Sequence, residues 1–189
     1  MTTKLNDDLQ YVAATVRRQE KAVGIPSIFY MWAVIVLIGF ALPDFAPQYA
    51  GLFWFIAGIG GGALSWWMGA RAERKQGYFD VEEGKRNGYH WLIGGLGYIL
   101  VGLPMILGKV DPGVGSIYFL LLTGVLYSLA GIHLQRGLLP GGLIALAGFV
   151  LLTVVELPYT WTLTGVFISL ALVLGGFAAL RAIRNGARA

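Results

Sequence analysis

Six apolar stretches constrain this chain more than any other feature. They cover about residues 27–43, 50–70, 90–108, 115–135, 139–156 and 160–181. A helix needs about 20 predominantly apolar residues to cross the hydrocarbon core of a bilayer, and each stretch comes close to that length. The sequence therefore predicts an all-α polytopic membrane protein with six transmembrane helices.

The composition agrees with a membrane protein and limits the chemistry that the chain can perform. Hydrophobic residues make up 57% of the chain and charged residues only 13%, whereas soluble domains are about 25% charged. The net charge of +4 could suggest nucleic acid, but the basic residues flank apolar stretches and form no patch with exposed aromatic residues. We therefore expect the lipid bilayer as a partner and no nucleic acid. Cysteine is absent, which excludes disulfides and cysteine-ligated metal centres.

One long polar segment at 71–90, RAERKQGYFDVEEGKRNGYH, separates the first two stretches from the last four. Basic loops stay in the cytoplasm during insertion, and a six-span chain puts all of the Lys and Arg on that side except Lys109. We predict that both termini are cytoplasmic and that the membrane is a bacterial inner membrane. We also expect a polar cytoplasmic loop at 71–89 that contains a short helix at about 81–87, ended by Gly88.

The N-terminal residues have a different pattern from the spans. Leu9, Val12 and Val16 recur at helical spacing, which predicts an amphipathic helix within residues 1–25, ahead of a six-helix domain at 26–189. Its apolar stripe contains no Trp or Phe, so we expect it to contact protein rather than enter the lipid. The contact through residues 5–23 could be with the protein's own cytoplasmic face, with a second copy in a homo-oligomer, or with a cytosolic protein partner.

Small residues recur at helical spacing within three of the spans. The pairs are Gly58 with Gly62, Gly124 with Ser128, and Gly165 with Ser169. Such pairs let neighbouring helix backbones approach closely, so we predict that they are helix-packing positions. A phosphate-binding loop is excluded because these glycines lie inside apolar helices, without a Lys-Ser/Thr end or a preceding strand.

The three loops predicted on the outer side each place an acid near a proline. This could mark a threefold repeat of helical hairpins, although acids and prolines are ordinary at exposed turns. The residues are Pro43 and Asp44, Asp111 and Pro112, and Glu156 and Pro158.

The two histidines suggest one possible ligand site. His90 precedes Asp111 by as many positions as His133 follows Pro112, so a hairpin that turns between Asp111 and Pro112 brings both imidazoles to the same depth. They could ligate a haem iron or a metal, or act as a proton-sensitive pair. The alternative is two interfacial histidines in an aromatic belt. No other cofactor is implied.

No other chemistry stands out. No Asp, Glu, Lys or Arg lies in the middle third of a span, where ion-coupled carriers usually place ionisable groups, and no Ser-His-Asp set, H-E-x-x-H motif or paired carboxylate occurs. We therefore predict no catalytic residues. The favoured function is a non-enzymatic sensor or accessory subunit with a cytoplasmic protein-contact face. The alternative is a small-solute transporter or channel.

Overall fold

The structure, a computed structural model, describes residues 24–76 and 81–186, and this part of the chain is helical without strands. All six main helices are long and apolar enough to cross a membrane, which confirms the predicted helical class and number of candidate spans. The predicted N-terminal amphipathic helix lies almost entirely outside the described residues. The six helices are α1 (Pro26–Phe45), α2 (Pro47–Gln76), α3 (Val81–Ile106), α4 (Pro112–His133), α5 (Leu139–Val154) and α6 (Thr160–Gly186).

Local sequence explains the turn between α3 and α4. Gly108 has a left-handed φ of 66°, a conformation that glycine adopts without steric cost and that commonly ends a helix. The side chain of Asp111 then accepts a hydrogen bond of 3.0 Å from the backbone N–H of Val114. Pro112 occupies the first position of α4, where its fixed φ favours the helix and no N–H is needed.

The polar segment is more helical than expected. α2 continues to Gln76 and α3 begins at Val81, so most of the predicted loop at 71–89 consists of helix ends. The short helix expected at about 81–87 is the first part of α3, and the prediction that Gly88 ends it was wrong. A glycine inside a helix costs only about 1 kcal/mol relative to alanine, which is too little to stop a helix that continues into an apolar stretch.

Burial is unequal among the six helices. α4 packs on α3, α5 and α6, while α1 packs on α2 and α6. Within the apolar 18-residue stretch of each helix, half of the residues are buried in α4 and in α6, but only 6% are buried in α2 and in α3. The shared core lies among α1, α4, α5 and α6 and includes Ala33, Val36, Phe40, Leu120, Ala130, Ala145, Ile168 and Leu172.

The helices alternate in direction, and all of the Lys and Arg residues in the described helices lie at one end of the bundle. We call this end the basic end, because its basic residues outnumber Glu73, Glu82 and Glu83. The basic residues of its described helices and turns are Arg71, Arg74, Lys75, Lys85, Arg86, Arg136, Arg181 and Arg184. The other, the acidic end, carries Asp44, Asp111 and Glu156, together with Lys109.

Candidate functional site

The junction between α4 and α5 is a close helix contact built on small residues. A Cβ atom at Gly124 would lie 2.6 Å from the side chain of Leu146, and one at Gly142 would lie 2.5 Å from the backbone nitrogen of Ser128. Real Cβ atoms do not approach other atoms this closely, so the two backbones could not pack as they do with larger residues here.

The junction between α6 and α1 has the same character. A Cβ atom at Gly165 would lie 2.6 Å from the Cβ of Phe40. One turn further along, the hydroxyl of Ser169 donates a hydrogen bond of 2.9 Å to the carbonyl oxygen of Ala33. Close backbone approach and an interhelical hydrogen bond are both common ways of holding apolar helices together.

A short internal repeat supplies the small residues that α4 and α6 contribute to the two junctions. The pattern Leu-Thr-Gly-Val, two variable residues and Ser-Leu-Ala occurs at 122–130 in α4 and again at 163–171 in α6. Comparing the outer loops alone misses this repeat, because the matching residues lie inside the helices.

The glycines of α2 divide between a packed face and an open one. Gly61 lies against Trp32 of α1, and the Trp32 indole Nε1–H donates a hydrogen bond of 2.9 Å to Ser65 Oγ. By contrast, a Cβ at Gly58 or Gly62 would meet no atom within 4 Å, apart from the backbone of its own helix. The predicted packing pair of α2 therefore has no packed neighbour in the described arrangement.

The glycines of α3 are divided in the same way. Gly94 and Gly97 receive Leu126 and Leu122 of α4, whereas a Cβ at Gly88 or Gly95 would meet no such atom within 4 Å. The open faces are therefore features of both sparsely buried helices. The glycines on these faces are Gly51, Gly58, Gly62 and Gly69 on α2, and Gly88 and Gly95 on α3, while Gly60 is also open but lies on the other side of α2.

Aromatic side chains from five helices meet in the half of the bundle nearer the acidic end. The ring of Phe40 lies 5.6 Å from Trp54, 5.3 Å from Phe119 and 5.7 Å from Trp161. Tyr98 of α3 stacks on Phe119 at 6.0 Å. These contacts connect α1, α2, α3, α4 and α6 through one cluster.

A few hydroxyl groups are enclosed within the bundle. Thr123 Oγ1 donates to the Phe119 carbonyl oxygen at 2.6 Å and lies 2.6 Å from the Tyr98 hydroxyl. Since the only hydroxyl proton of Thr123 is used in the first bond, Tyr98 is the donor in the second. Ser128 Oγ and Thr164 Oγ1 are buried and have no hydrogen-bond partner.

The two histidines differ in their surroundings and in depth. The Nε2 atom of His90 is buried without a hydrogen-bond partner, and the ring meets Trp91 edge to face at 5.0 Å, whereas His133 is exposed. The contacts of Gly94 with Leu126 and of Gly97 with Leu122 set a register that offsets the two histidines by about one helical turn.

No cluster of three or more His, Asp or Glu residues suited to a metal ion occurs in the part of the chain that the structure describes. The ends of α3 and α4 show why the depth expected from the sequence differs from the observed one. α3 ends at Ile106 and α4 begins at Pro112, so the turn is centred before Asp111. A haem or metal bound by His90 and His133 stays a prediction.

Contacts at the basic end hold Gly24, just before α1, against the bundle. The backbone N–H of Gly24 donates to Gln135 Oε1 at 3.3 Å, in the turn between α4 and α5. A Cβ at Gly24 would lie 2.6 Å from the ring of Phe29, so a larger residue here would require the Phe29 ring to move. The predicted contact residues Leu9, Val12 and Val16 lie outside the described residues.

A long-range hydrogen-bonded cap is found at the acidic end. Asp44 Oδ2, near the end of α1, accepts from the backbone N–H of Thr162 at 2.8 Å and from its hydroxyl at 2.7 Å. Thr162 lies in the first turn of α6, whose N–H groups have no partner within the helix. Asp44 therefore caps α6 from a residue that is distant in sequence.

Comparison of the chain with protein-family models, with curated proteins and with solved structures finds no match in any of the three. The functional argument therefore depends on the residues themselves.

Proposed function

We propose that this protein is an integral membrane protein of the bacterial inner membrane, with six spans and both termini in the cytoplasm. It acts as a non-enzymatic sensor or accessory subunit that binds protein through its cytoplasmic face. The basic end is that face, because Lys and Arg remain in the cytoplasm during insertion.

The hydrogen bond between Gly24 and Gln135 is the observation that carries this proposal. It holds the start of α1 beside the turn between α4 and α5. The start of α1, the neighbouring ends of α2 and α3 at Gln76 and Val81, and the α4–α5 turn all lie at the basic end. Three parts of the chain at one end give a larger surface for a protein contact than any one of them alone. The charged residues at the span ends also support a binding role over transport driven by buried ionisable groups.

Photo-cross-linking tests the contact face. A photoreactive amino acid at Val12 in the full chain, irradiated in isolated membranes, should give a defined adduct that mass spectrometry assigns to this chain or to a second protein. Ala14 is the matched control, because at helical spacing it lies on the other side of the predicted N-terminal helix. If Val12 gives no more adduct than Ala14, the proposed contact does not exist.

The two buried hydroxyls without partners favour a second candidate function, a small-solute transporter or channel. Ser128 Oγ and Thr164 Oγ1 are unpaired, and buried polar groups normally have a protein or water partner. A solute path along α4 and α6 would supply one. Uptake of candidate solutes into vesicles that contain the purified protein tests this function. Uptake that is abolished by Ser128→Ala or Thr164→Val would favour transport over the binding role.

A further inference from the structure

The three helical hairpins α1–α2, α3–α4 and α5–α6 can be paired in three ways through neighbouring helices. We call these pairings junctions, and two of the three are packed. α4 packs on α5 and α6 packs on α1, in both cases across small residues. At the third junction, α2 and α3 do not pack along their length over the ranges that the structure covers. We propose that α2 and α3 close on one another, so that the third junction packs as the other two do. This inference is independent of the proposed function.

Glycines on α2 and α3 form the faces that would meet. A Cβ at Gly58, Gly62, Gly88 or Gly95 would meet no atom within 4 Å outside the backbone of its own helix. Glycine is a poor helix former and adds no side-chain contact, whereas at a helix contact it allows close backbone approach. At the angular spacing of an α-helix, these faces lie on the same side of each helix, relative to its hairpin partner, as the faces packed at the other two junctions.

The two glycine faces are in register when positions are counted from the end of α2 and from the start of α3. α2 ends at Gln76 and α3 begins at Val81. Gly62 precedes Gln76 by as many positions as Gly95 follows Val81. Because both helices rise by the same distance per residue, Gly62 and Gly95 stand at the same depth. A glycine on each helix at one level is what a close crossing requires.

Large residues are matched with glycines at greater distances from the turn. Ile99 is level with Gly58, and Phe55 is level with Gly102, because the members of each pair are equally far from the helix ends at Gln76 and Val81. Phe55 and Ile99 are each 68% exposed. Each can therefore insert over the glycine opposite it, as knobs fit into holes in packed helices.

Two of the turns that join packed helices show that such counting is sound. Gly148, which receives Phe167, is almost as far from the end of α5 as Phe167 is from the start of α6. Gly124, which receives Leu146, is likewise almost as far from the end of α4 as Leu146 is from the start of α5. The mismatch in both pairs is less than one helical turn, so depths counted from the helix ends predict which residues meet.

The length of the connection favours closure within one chain over contact with a second copy. Residues 134–138 connect α4 to α5. These helices are in contact right beside this connection, since a Cβ at Gly131 would lie 2.5 Å from the backbone nitrogen of Leu139. Residues 77–80 form a connection of similar length between α2 and α3. A turn of this size can therefore bring two antiparallel helices into contact.

Disulfide cross-linking tests the closure directly, because the chain contains no cysteine. A disulfide needs two Cα atoms within about 7 Å. Phe55→Cys with Gly102→Cys, far from the turn, should cross-link within one chain when membranes are oxidised, and so should Gly62→Cys with Gly95→Cys. Gly60→Cys with Gly95→Cys is the matched control and should not cross-link, because Gly60 is equally open but lies on the other side of α2.

A blocking substitution provides the second arm. Gly62→Leu should remove the cross-link between Phe55→Cys and Gly102→Cys, whereas Gly60→Leu should leave it intact. Gel-filtration profiles that match the cysteine-free chain show that each variant is folded. If Gly62→Cys with Gly95→Cys fails this check, the pair at 55 and 102 decides.

Cross-linked dimers would assign the faces to a second copy, and the absence of any cross-link in folded variants would mean that the junction stays open. Either result overturns the inference.

Discussion

Gly165 and Gly60 are both glycines inside long apolar helices, yet their surroundings assign them opposite roles. A Cβ at Gly165 would meet Phe40 at 2.6 Å, whereas a Cβ at Gly60 would meet nothing within 4 Å outside the backbone of its own helix. The same residue type is therefore needed for packing at one position and dispensable at the other.

Alanine substitutions should separate the two glycines. Gly165→Ala should destabilise the protein by about 1–3 kcal/mol, because the added methyl group pushes α6 away from α1. Gly60→Ala should be neutral or stabilise the protein by up to about 1 kcal/mol, because alanine is the better helix former. Thermal unfolding in detergent measures both, and equal effects of the two substitutions would contradict the described packing of α1 on α6.

The Asp44 cap gives a second prediction for single residues. Asp44→Ala should cost about 1–2 kcal/mol, as expected for the loss of a helix N-cap, and Thr162→Val should cost part of the same energy. Because Asp44 accepts both hydrogen bonds from Thr162, the two substitutions share one interaction, and the double variant should be less destabilised than the sum of the single ones. If the losses in free energy of unfolding from the two single substitutions simply add in the double variant, the interaction between Asp44 and Thr162 does not stabilise the protein.

At the scale of helices and segments, the predicted apolar stripe of the N-terminal helix is the part of the proposed function that substitutions can test most simply. Replacing Val12 and Val16 with Asp should cost the contact roughly 2–5 kcal/mol if both valines are buried against protein, since each charge would lose water without gaining a partner. Gln10→Asp with Ala14→Asp introduces the same charges on the other side of the predicted helix and should have little effect. Size-exclusion chromatography and unfolding measurements report both. Equal behaviour of the two double variants would leave residues 5–23 without a contact.

The existence of the helices could be predicted from sequence, but their partners could not. Long apolar stretches define spans regardless of tertiary contacts. α2 and α6 are both apolar enough to span a membrane, although 6% of the apolar stretch is buried in α2 and 50% in α6. Lipid and protein interiors are equally apolar, so hydropathy does not distinguish a lipid-facing helix from a packed one. Glycine spacing has the same limit, because Gly58 with Gly62 resembles Gly124 with Ser128 in sequence while only the second pair has a packed neighbour.

The candidate sites were predictable to different extents for physical reasons. Counting from Asp111 and Pro112 placed His90 and His133 at equal depth, but the turn is centred earlier and the helix contacts offset them. The cap on α6 joins Asp44 to Thr162, which are far apart in the chain. Neither residue has a sequence motif that connects it to the other, so only the folded bundle reveals the pair.

At the scale of the whole molecule, the excess of Lys and Arg at one end is the property on which the proposed orientation and the proposed function both depend. The acidic end carries Asp44, Asp111 and Glu156 at short turns, whereas the basic end carries the long polar ends of α2 and α3 and Gly24, which lies just before α1. A cytoplasmic protein-contact face requires that the basic end be the cytoplasmic one.

Topology mapping in cells tests this orientation most directly. Reporter fusions after Asp44, Gln76, Asp111 and the C-terminus should read outside, inside, outside and inside, because the six helices alternate and basic residues remain in the cytoplasm. A cytoplasmic signal at Asp111, or an external signal at Gln76, would contradict both the six-span arrangement and the proposed cytoplasmic contact face.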